Sequence, residues 1–337
     1  MIARRRGRWP VVLLTVVLHL AGSVHLFSQT AWTPVDREAS LSVVFQEINL
    51  QGHFWGDGSR HVDDIPSRAH VGLVQVDYGI TDKLAFTARL PYIASKFTHT
   101  DDPGTIEFLQ SFAELQRSTP GAEAFESLDT GKYYATFQDF GLSLRYNALN
   151  RGLVVTPVVG VTIPSHDYRT VGEASPGQNR LALQTGVNAG RLLEPFLPSA
   201  YVHARYTYSF VQRLYDVSLD RSNAEFEAGY AVNHLLSVRG LAAWSRTHGG
   251  LSYDETLTDT FLFLDHDRLL ASRYWHLGAG ATVALTDSID LDAAVLKFVA
   301  GADTHYGLGA MFGVTWRLVA NPSARPAKLT RAMPRRR

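Results

Sequence analysis

The stretch DYGITDKLAFTARLPY, residues 77–92, alternates apolar with polar side chains on both sides of a short polar break at 81–83. Side chains of a β-strand point alternately to opposite faces, so a period of two collects the apolar ones on a single face. A tight polar turn between two such runs indicates an antiparallel hairpin. The apolar positions are Val74, Val76, Tyr78 and Ile80 before the break, and Leu84, Phe86, Ala88, Leu90 and Tyr92 after it.

The same alternation recurs along the chain and predicts twelve strands. They lie near 38–52, 68–80, 83–97, 133–149, 151–164, 179–192, 199–213, 221–232, 235–248, 268–285, 288–300 and 305–318. Short links (81–82, 150, 193–198, 233–234, 286–287) alternate with longer ones (53–67, 98–132, 165–178, 214–220, 249–267), and a shorter sixth lies at 301–304. This sorting is typical of outer-membrane barrels. We therefore predict an all-β fold, an antiparallel up-and-down transmembrane β-barrel of about 12 strands with short periplasmic turns and long extracellular loops.

The chemistry of the two strand faces agrees with a barrel in lipid. In the seventh predicted strand one face carries Val202, Ala204, Tyr206, Tyr208 and Phe210, and the other carries His203, Arg205, Thr207 and Ser209. A face that meets lipid must be apolar, whereas a lumen tolerates polar side chains. An open sheet edge in hydrocarbon would leave backbone groups without partners, so the first and last strands are expected to pair.

The two ends of the chain differ from the barrel region. Arginines at 4–6 and 8 precede an apolar core at 10–22, which predicts a secretory signal peptide over 1–30, with an N-terminal membrane anchor as the alternative. We assign 31–318 to the barrel and 319–337, with its prolines and terminal arginines, to a disordered basic periplasmic tail. The segment 313–318 resembles the terminal signal read by the barrel-assembly machinery. The predicted location is thus the bacterial outer membrane.

Composition excludes several classes of function. The formal net charge is zero, with 32 basic and 32 acidic residues, so bulk charge gives no reason to expect a nucleic-acid partner. There is no cysteine, which excludes disulfides and thiolate metal sites. No G-x-S-x-G, H-E-x-x-H or P-loop motif occurs, so neither an enzyme nor a cofactor is predicted. Two serine–histidine pairs, Ser165 with His166 and Ser245 with His248, have no third orienting group that the sequence identifies.

Charged residues on the polar strand faces are the candidate lumen lining. They are Asp77, Arg89, Arg145, His203, Arg205, Glu225, Glu227, Arg239, Asp290 and Asp292. Opposed basic and acidic arrays create a field that selects solutes. The alternative is that these charges pair across a narrow lumen and stabilise a filled barrel.

Histidines collect in the predicted outer links, often beside carboxylates. His61, His99, His166, His266 and His305 form a candidate metal site at the outer rim, since imidazole and carboxylate are ligands for Zn²⁺ or Cu²⁺. No motif spacing supports it, and polar outer loops among lipopolysaccharide and divalent ions explain the same residues. In the longest link, an apolar stripe at 105–115 predicts a helix that either caps the mouth or lies on the surface.

Two segments carry a resemblance to a known family. DYGITDKLAFTARLPYIASKF (77–97) and FQDFGLSLRYNALNRGLVVTPVVGVTIPSHDY (137–168) resemble the bacterial outer-membrane proteins named for the MetA pathway of phenol degradation. The resemblance covers the second to fifth predicted strands and the rest only in general pattern. It implies a barrel that passes small, often apolar molecules across the outer membrane, and it carries over no functional residue.

The expected function is therefore a channel or transporter-like barrel for small molecules, apolar or aromatic ones included. The alternatives are a structural barrel with a filled lumen and an outer-membrane lipid-modifying enzyme. Expected partners are outer-membrane lipid, lipopolysaccharide, the barrel-assembly machinery during biogenesis and an unidentified small solute.

Overall fold

The computed structural model of the chain describes residues 31–97, 128–172, 174–252 and 265–319, with backbone only at 63–66 and 319. Its strands are β1 (Glu38–Phe54), β2 (Arg60–Gly79), β3 (Leu84–Lys96), β4 (Tyr134–Phe137), β5 (Phe140–Tyr146), β6 (Leu149–Arg151), β7 (Leu153–Ile163), β8 (Ala182–Leu192), β9 (Ala200–Val211), β10 (Leu219–Ala231), β11 (Leu236–Gly249), β12 (Arg273–Ala284), β13 (Ile289–Ala302) and β14 (Thr304–Val319). One helical turn, α1 (His266–Leu269), precedes β12. The predicted signal peptide, nearly all of the tail, and the 105–115 stripe lie outside the described residues.

These strands occupy twelve positions around one closed antiparallel barrel. β4 and β5 both pair with β3 and together form one position, and the short β6 pairs only with β7. β1 pairs with β2 on one side and with β14 on the other, where Val44 lies opposite Gly313. Closure leaves no edge in this sheet, as a membrane requires. The predicted barrel and the pairing of its first and last strands are confirmed.

Three of the short turns are held by one polar side chain each. Oγ1 of Thr81 accepts hydrogen bonds from the backbone N–H groups of residues 83 and 84, at 3.2 and 3.0 Å. Asn233 and Thr286 do the same at the β10–β11 and β12–β13 turns. Such side chains stabilise tight turns by satisfying backbone donors locally. The polar break quoted at the start of the sequence analysis is therefore a turn with a defined hydrogen-bond pattern.

A belt of large apolar side chains covers the outside of the barrel. Val74, Val76 and Tyr78 are about 40 % exposed on β2, while Gln75 between them is 7 % exposed. The belt continues around the barrel through Phe45, Leu90, Leu144, Val159, Leu183, Val187, Tyr206, Phe226, Val238, Leu277, Val295 and Phe312. These apolar side chains are favourable on the outer face because they meet hydrocarbon rather than water, which explains why apolar and polar residues alternate along the strands. No helix among the described residues is long and apolar enough to cross a membrane.

Two of the predicted outer links are shorter than the sequence indicated. β1 and β2 keep pairing as far as Phe54 and Arg60, so only 55–59 remain between them in place of 53–67. β13 and β14 are joined by Asp303 alone. The stretch RHVDDIPS at 60–67 is rich in charged and polar residues, but strand backbone needs no apolar side chains there. A buried cluster that includes Ile48, Leu50, Phe54, Val71, Ile93, Phe298 and Tyr306 packs the base of this extension.

Candidate functional site

Several of the predicted lumen charges form ion pairs with one another. Arg145 Nη2 lies 2.7 Å from Asp77 Oδ1, which also accepts a hydrogen bond from the Thr87 hydroxyl at 2.6 Å. The second oxygen of Asp77 accepts from Gln75 at 2.6 Å. Arg145 is 5 % exposed, so this pair is removed from solvent. Charge and hydrogen bonds at Asp77 are satisfied within the barrel wall, as a buried carboxylate requires.

A second network surrounds Arg239. Its two terminal nitrogens donate to the two oxygens of Asp292 at 2.8 and 2.6 Å, and its Nε lies 3.5 Å from a carboxylate oxygen of Glu227. Glu227 also accepts a hydrogen bond from the Tyr201 hydroxyl. A bidentate guanidinium–carboxylate pair is among the strongest polar contacts in proteins. Asp290 pairs separately with Arg317, at 2.7 Å, an arginine that the sequence analysis did not select.

The middle of the lumen holds a chamber of about 230 Å³. Its charged lining residues are four arginines and one carboxylate: Arg89, Arg180, Arg205, Arg221 and Asp139. Its apolar lining includes Val71, Leu73, Leu142, Val161 and Val211. Glu225, also predicted to face inward, interacts electrostatically with Arg205 and Arg89. Positive charge exceeds negative charge around the chamber even when Glu225 is counted.

Two chamber arginines donate hydrogen bonds to glutamine side chains of neighbouring strands. Arg205 donates to Gln184 Oε1 at 3.2 Å, and Arg89 donates to Gln75 Oε1 at 2.8 Å. Arg205 is 7 % exposed, and its buried Nε has no hydrogen-bond partner among the described residues. An amide oxygen does not neutralise a guanidinium, and the Glu225 carboxylate interacts with both Arg205 and Arg89, so one negative charge serves two positive ones.

Residues 31–37, here called the inner plug, lie against lumen-facing side chains at the end of the barrel that carries the short turns. Ala31 is fully buried, and its carbonyl accepts a hydrogen bond from Thr156 at 2.6 Å. The Trp32 ring lies edge-on to Tyr201 with 6.3 Å between centroids, and 6.4 Å from His203. The plug is anchored to the first short turn, since Asp36 N donates to Asp82 Oδ1 at 3.1 Å. The predicted lumen residue His203 thus lines the plug.

The close approach of the plug depends on Gly190 in β8. A Cβ at this position would lie 2.6 Å from Trp32 Cη2 and 2.9 Å from the Ala31 Cβ. Such distances are far inside the contact separation of carbon atoms, about 3.5–4.0 Å. Glycine is therefore the only residue that leaves room for the indole as it is seated.

The link 164–181, here called the outer lid, turns inward at the other end of the lumen. The Ser95 hydroxyl donates to the Ala174 carbonyl at 2.5 Å, and Gln138 donates to the Pro176 carbonyl. Tyr168 donates to Asp139 at 2.5 Å. Burial, followed by the neighbouring Asp139 carboxylate, raises the pKa of Tyr168, so its hydroxyl stays a donor. This segment was predicted only as a link between strands, although Gly172, Gly177 and the stretch Ala-Ser-Pro at 174–176 mark a turn-rich region; residue 173 lies outside the described residues.

The structure brings together two of the five predicted rim histidines, with one more. His266 of α1 and His305 of β14 lie beside His53 of β1. His61 instead lies near Trp55, with 5.9 Å between ring centroids, and His166 hydrogen-bonds to Thr136 and Ser165. His99 lies outside the described residues. His53 was missed because only the pairing of β1 with β14 places it opposite His305.

The two serine–histidine pairs have different surroundings. Ser165 Oγ lies 2.8 Å from His166 Nδ1, and the other ring nitrogen lies 3.0 Å from the Thr136 hydroxyl rather than from a carboxylate. Ser245 donates to Asn223, while His248 contacts Ser222. Among the residues that the structure describes, in neither pair does a serine hydrogen-bond to a histidine that in turn hydrogen-bonds to a carboxylate, which is the arrangement of a catalytic triad.

Comparisons with known proteins agree with the fold. No family model and no curated protein sequence matches the chain. The structure is similar to that of the COG4313 outer membrane channel from Pseudomonas putida F1, with a TM-score of 0.61, 14 % identity, and coverage of 85 % of this chain and 98 % of that one. The translocator domain of the autotransporter NalP from Neisseria meningitidis (TM-score 0.46, 12 % identity, 86 % and 92 % covered) and the P. putida toluene transporter TodX (0.44, 10 %, 91 % and 97 %) are more distant. This chain has the fold of a bacterial outer-membrane channel.

Proposed function

We propose that this protein is a gated outer-membrane channel for small molecules, and that it favours amphipathic organic anions. The observation that carries the proposal is the chamber of about 230 Å³, which Gly177, Gln178 and Arg180 of the outer lid help to line. Pockets for drug-sized ligands measure on the order of 300–1,000 Å³. The chamber therefore suits one small molecule at a time, such as a single substituted ring.

The lining of the chamber supports an anionic solute with an apolar part. Arginine presents donors in a planar fork that matches a carboxylate. An uncharged apolar solute would strip water from Arg89, Arg205 and Arg221 without replacing its hydrogen bonds, which is costly. Val161, Leu142 and the neighbouring apolar side chains supply contacts for a ring. This narrows the expectation of apolar or aromatic molecules to those that carry a negative group.

Gating is proposed because neither closure is part of the barrel wall. The inner plug and the outer lid are bound to the barrel by side-chain hydrogen bonds and ring contacts rather than by strand ladders, so they can move while the ladders stay intact. The alternative with a filled lumen also has an observation in its favour, namely that the inner plug and the outer lid both contact lumen-facing side chains of the strands. Transport measurements separate the two.

Family, location and partners belong to the same proposal. The segments at 77–97 and 137–168 support membership in the outer-membrane family named for the MetA pathway of phenol degradation. The apolar belt supports contact with outer-membrane lipid and, at the outer rim, lipopolysaccharide. We propose export through a signal peptide because of the arginines and apolar core at 1–30, and folding by the barrel-assembly machinery because of the segment 313–318.

The test is solute flux through refolded protein. Relative to protein-free liposomes, the barrel should accelerate the passage of benzoate more than that of benzyl alcohol and benzylamine, which share its ring but not its charge. In planar bilayers under a salt gradient, the reversal potential should show anion selectivity. Arg205→Gln should reduce both benzoate flux and anion selectivity several-fold, while Arg151→Gln, at an exposed arginine of β6, should leave them unchanged.

Two outcomes would contradict different parts of the proposal. A folded barrel that passes none of the three solutes would favour the structural alternative. Equal passage of all three, with no effect of Arg205→Gln, would keep the channel and remove its preference for anions.

A further inference from the structure

Three histidines converge at the outer mouth of the barrel. His53 and His305 are direct cross-strand neighbours in the β1–β14 pair, with 4.7 Å between ring centroids. His266, from α1, faces both rings, at centroid separations of 6.4 and 6.3 Å. One nitrogen from each ring lies within 4.8 Å of the other two. Two of the three rings are therefore fixed by strands, and the third is brought to them by a link.

A carboxylate accompanies the three rings. Asp267 Oδ1 lies 2.6 Å from His305 Nε2 and 3.5 Å from His266 Nε2. In metal sites, a carboxylate that bonds to one imidazole nitrogen fixes the ring so that its other nitrogen can bind the ion. The side chain of Asp267 also supplies negative charge beside the position of a dication.

Burial argues against an ordinary surface cluster. His266 is 1 % exposed, His53 is 9 % exposed, and the side chain of His305 is 13 % exposed. Three imidazoles and a carboxylate packed together away from water need polar partners on all sides. A divalent cation can bind one nitrogen from each of the three converging rings at once.

The dimensions suit a transition-metal ion after a small contraction. Zn–N bonds measure about 2.0–2.1 Å, so tetrahedral nitrogen ligands lie about 3.3 Å apart. Closing from 4.8 Å to that separation requires ring rotations rather than movement of the strands. Asp267 and His305 also line a cavity of about 70 Å³, which leaves room for a water or a solute atom in a fourth position.

We propose that His53, His266 and His305 bind one zinc-type divalent ion at the outer mouth, with Asp267 orienting His305. Imidazole ligands suit zinc, copper and nickel, whereas calcium and magnesium prefer oxygen. This metal site involves other residues than the chamber, so the zinc proposal can be tested independently of the proposed solute preference. It replaces the rim set predicted from sequence, because His61 and His166 lie elsewhere.

The test is zinc titration of the refolded full-length barrel, followed by calorimetry, with folding checked by gel mobility before and after heating. One zinc per chain should bind with a dissociation constant below about 1 µM. His266→Ala, in the link, should weaken binding more than about 100-fold, and Asp267→Asn should weaken it about 10–100-fold. His61→Ala is the matched control and should bind like the wild type.

Two results would overturn the proposal. One is the absence of zinc binding to the folded wild-type barrel. The other is zinc binding that survives both His53→Ala and His266→Ala, since the ion would then lie elsewhere. If His53→Ala prevents barrel formation, His266→Ala still decides, because it lies outside the strands.

Discussion

Gly190→Ala should unseat the inner plug and open the channel more often. The position faces the lumen in β8, and a methyl group there occupies space that the Trp32 ring now fills. The substitution is otherwise mild, because alanine fits a strand and adds no charge. Any effect on conductance therefore reports on the plug.

The size of the effect follows from the contact distances. A Cβ at Gly190 would lie 2.6 Å from Trp32 Cη2, against a normal separation of about 3.5–4.0 Å, so the indole must retreat by about 1 Å. Overpacking of this kind costs about 1–3 kcal/mol. The strain exists only while Trp32 is seated, so it raises the free energy of the closed state alone. The ratio of open to closed channels should rise about 5–150-fold.

Single-channel recording in planar bilayers measures that ratio directly. Gly240→Ala is the matched control, because a Cβ at Gly240 meets no atom within 4 Å. Trp32→Ala should open the channel as well, and adding Gly190→Ala to it should change little, since no indole remains to be displaced. Equal open fractions in the wild type, Gly190→Ala and Trp32→Ala, all folded, would refute the assignment of the inner plug as a gate.

Three further predictions concern the belt, the buried charges and the metal site. Val187→Arg, in the apolar belt, should lower the free energy of unfolding in lipid by about 2–4 kcal/mol, and Leu318→Arg, at the periplasmic rim, by about 0–1 kcal/mol, as measured by urea titration. Arg239→Met leaves Asp292 and Glu227 buried without their cation and should cost about 3–5 kcal/mol in the same titration; a loss below 1 kcal/mol would contradict the network. Micromolar zinc should lower the open fraction and a chelator restore it, because the ion would tie α1 to the barrel wall; His266→Ala should abolish the response.

The strands were predictable from sequence because their cause is local and repeated. In the hairpin at 77–92, successive side chains face lipid and lumen in turn, so the sequence alternates between apolar and polar residues with a period of two. The turn at 81–84 was predictable for the same reason, since Thr81 bonds to donors two and three residues away. The pairing of β1 with β14 was predictable from the membrane environment rather than from any particular residue, because hydrocarbon offers no hydrogen-bond partners to an open sheet edge.

The contents of the lumen were not predictable in the same way. The inner plug and the outer lid have no periodicity, and their contacts join residues such as Ala31 and Thr156, which are 125 positions apart. Alternation places Arg145, Arg205 and Arg239 inside, but it does not say which of them meets a carboxylate. The three histidines converge only because the strand register and a link bring them together.

The fates of two inward arginines show what register adds to the pattern. Arg239 gives both terminal nitrogens to Asp292 and turns its Nε toward Glu227, so its charge is balanced within the wall. Arg205, two strands away, meets the amide of Gln184, and among the described residues its buried Nε has no hydrogen-bond partner. A charge balanced by protein contributes to stability but has nothing left for a solute. A charge left in excess beside a chamber is costly until an anion arrives, and that cost favours the anion over a neutral molecule. Alternation makes the two arginines equivalent, and only the strand register decides that Arg239 hydrogen-bonds to a carboxylate and Arg205 to an amide.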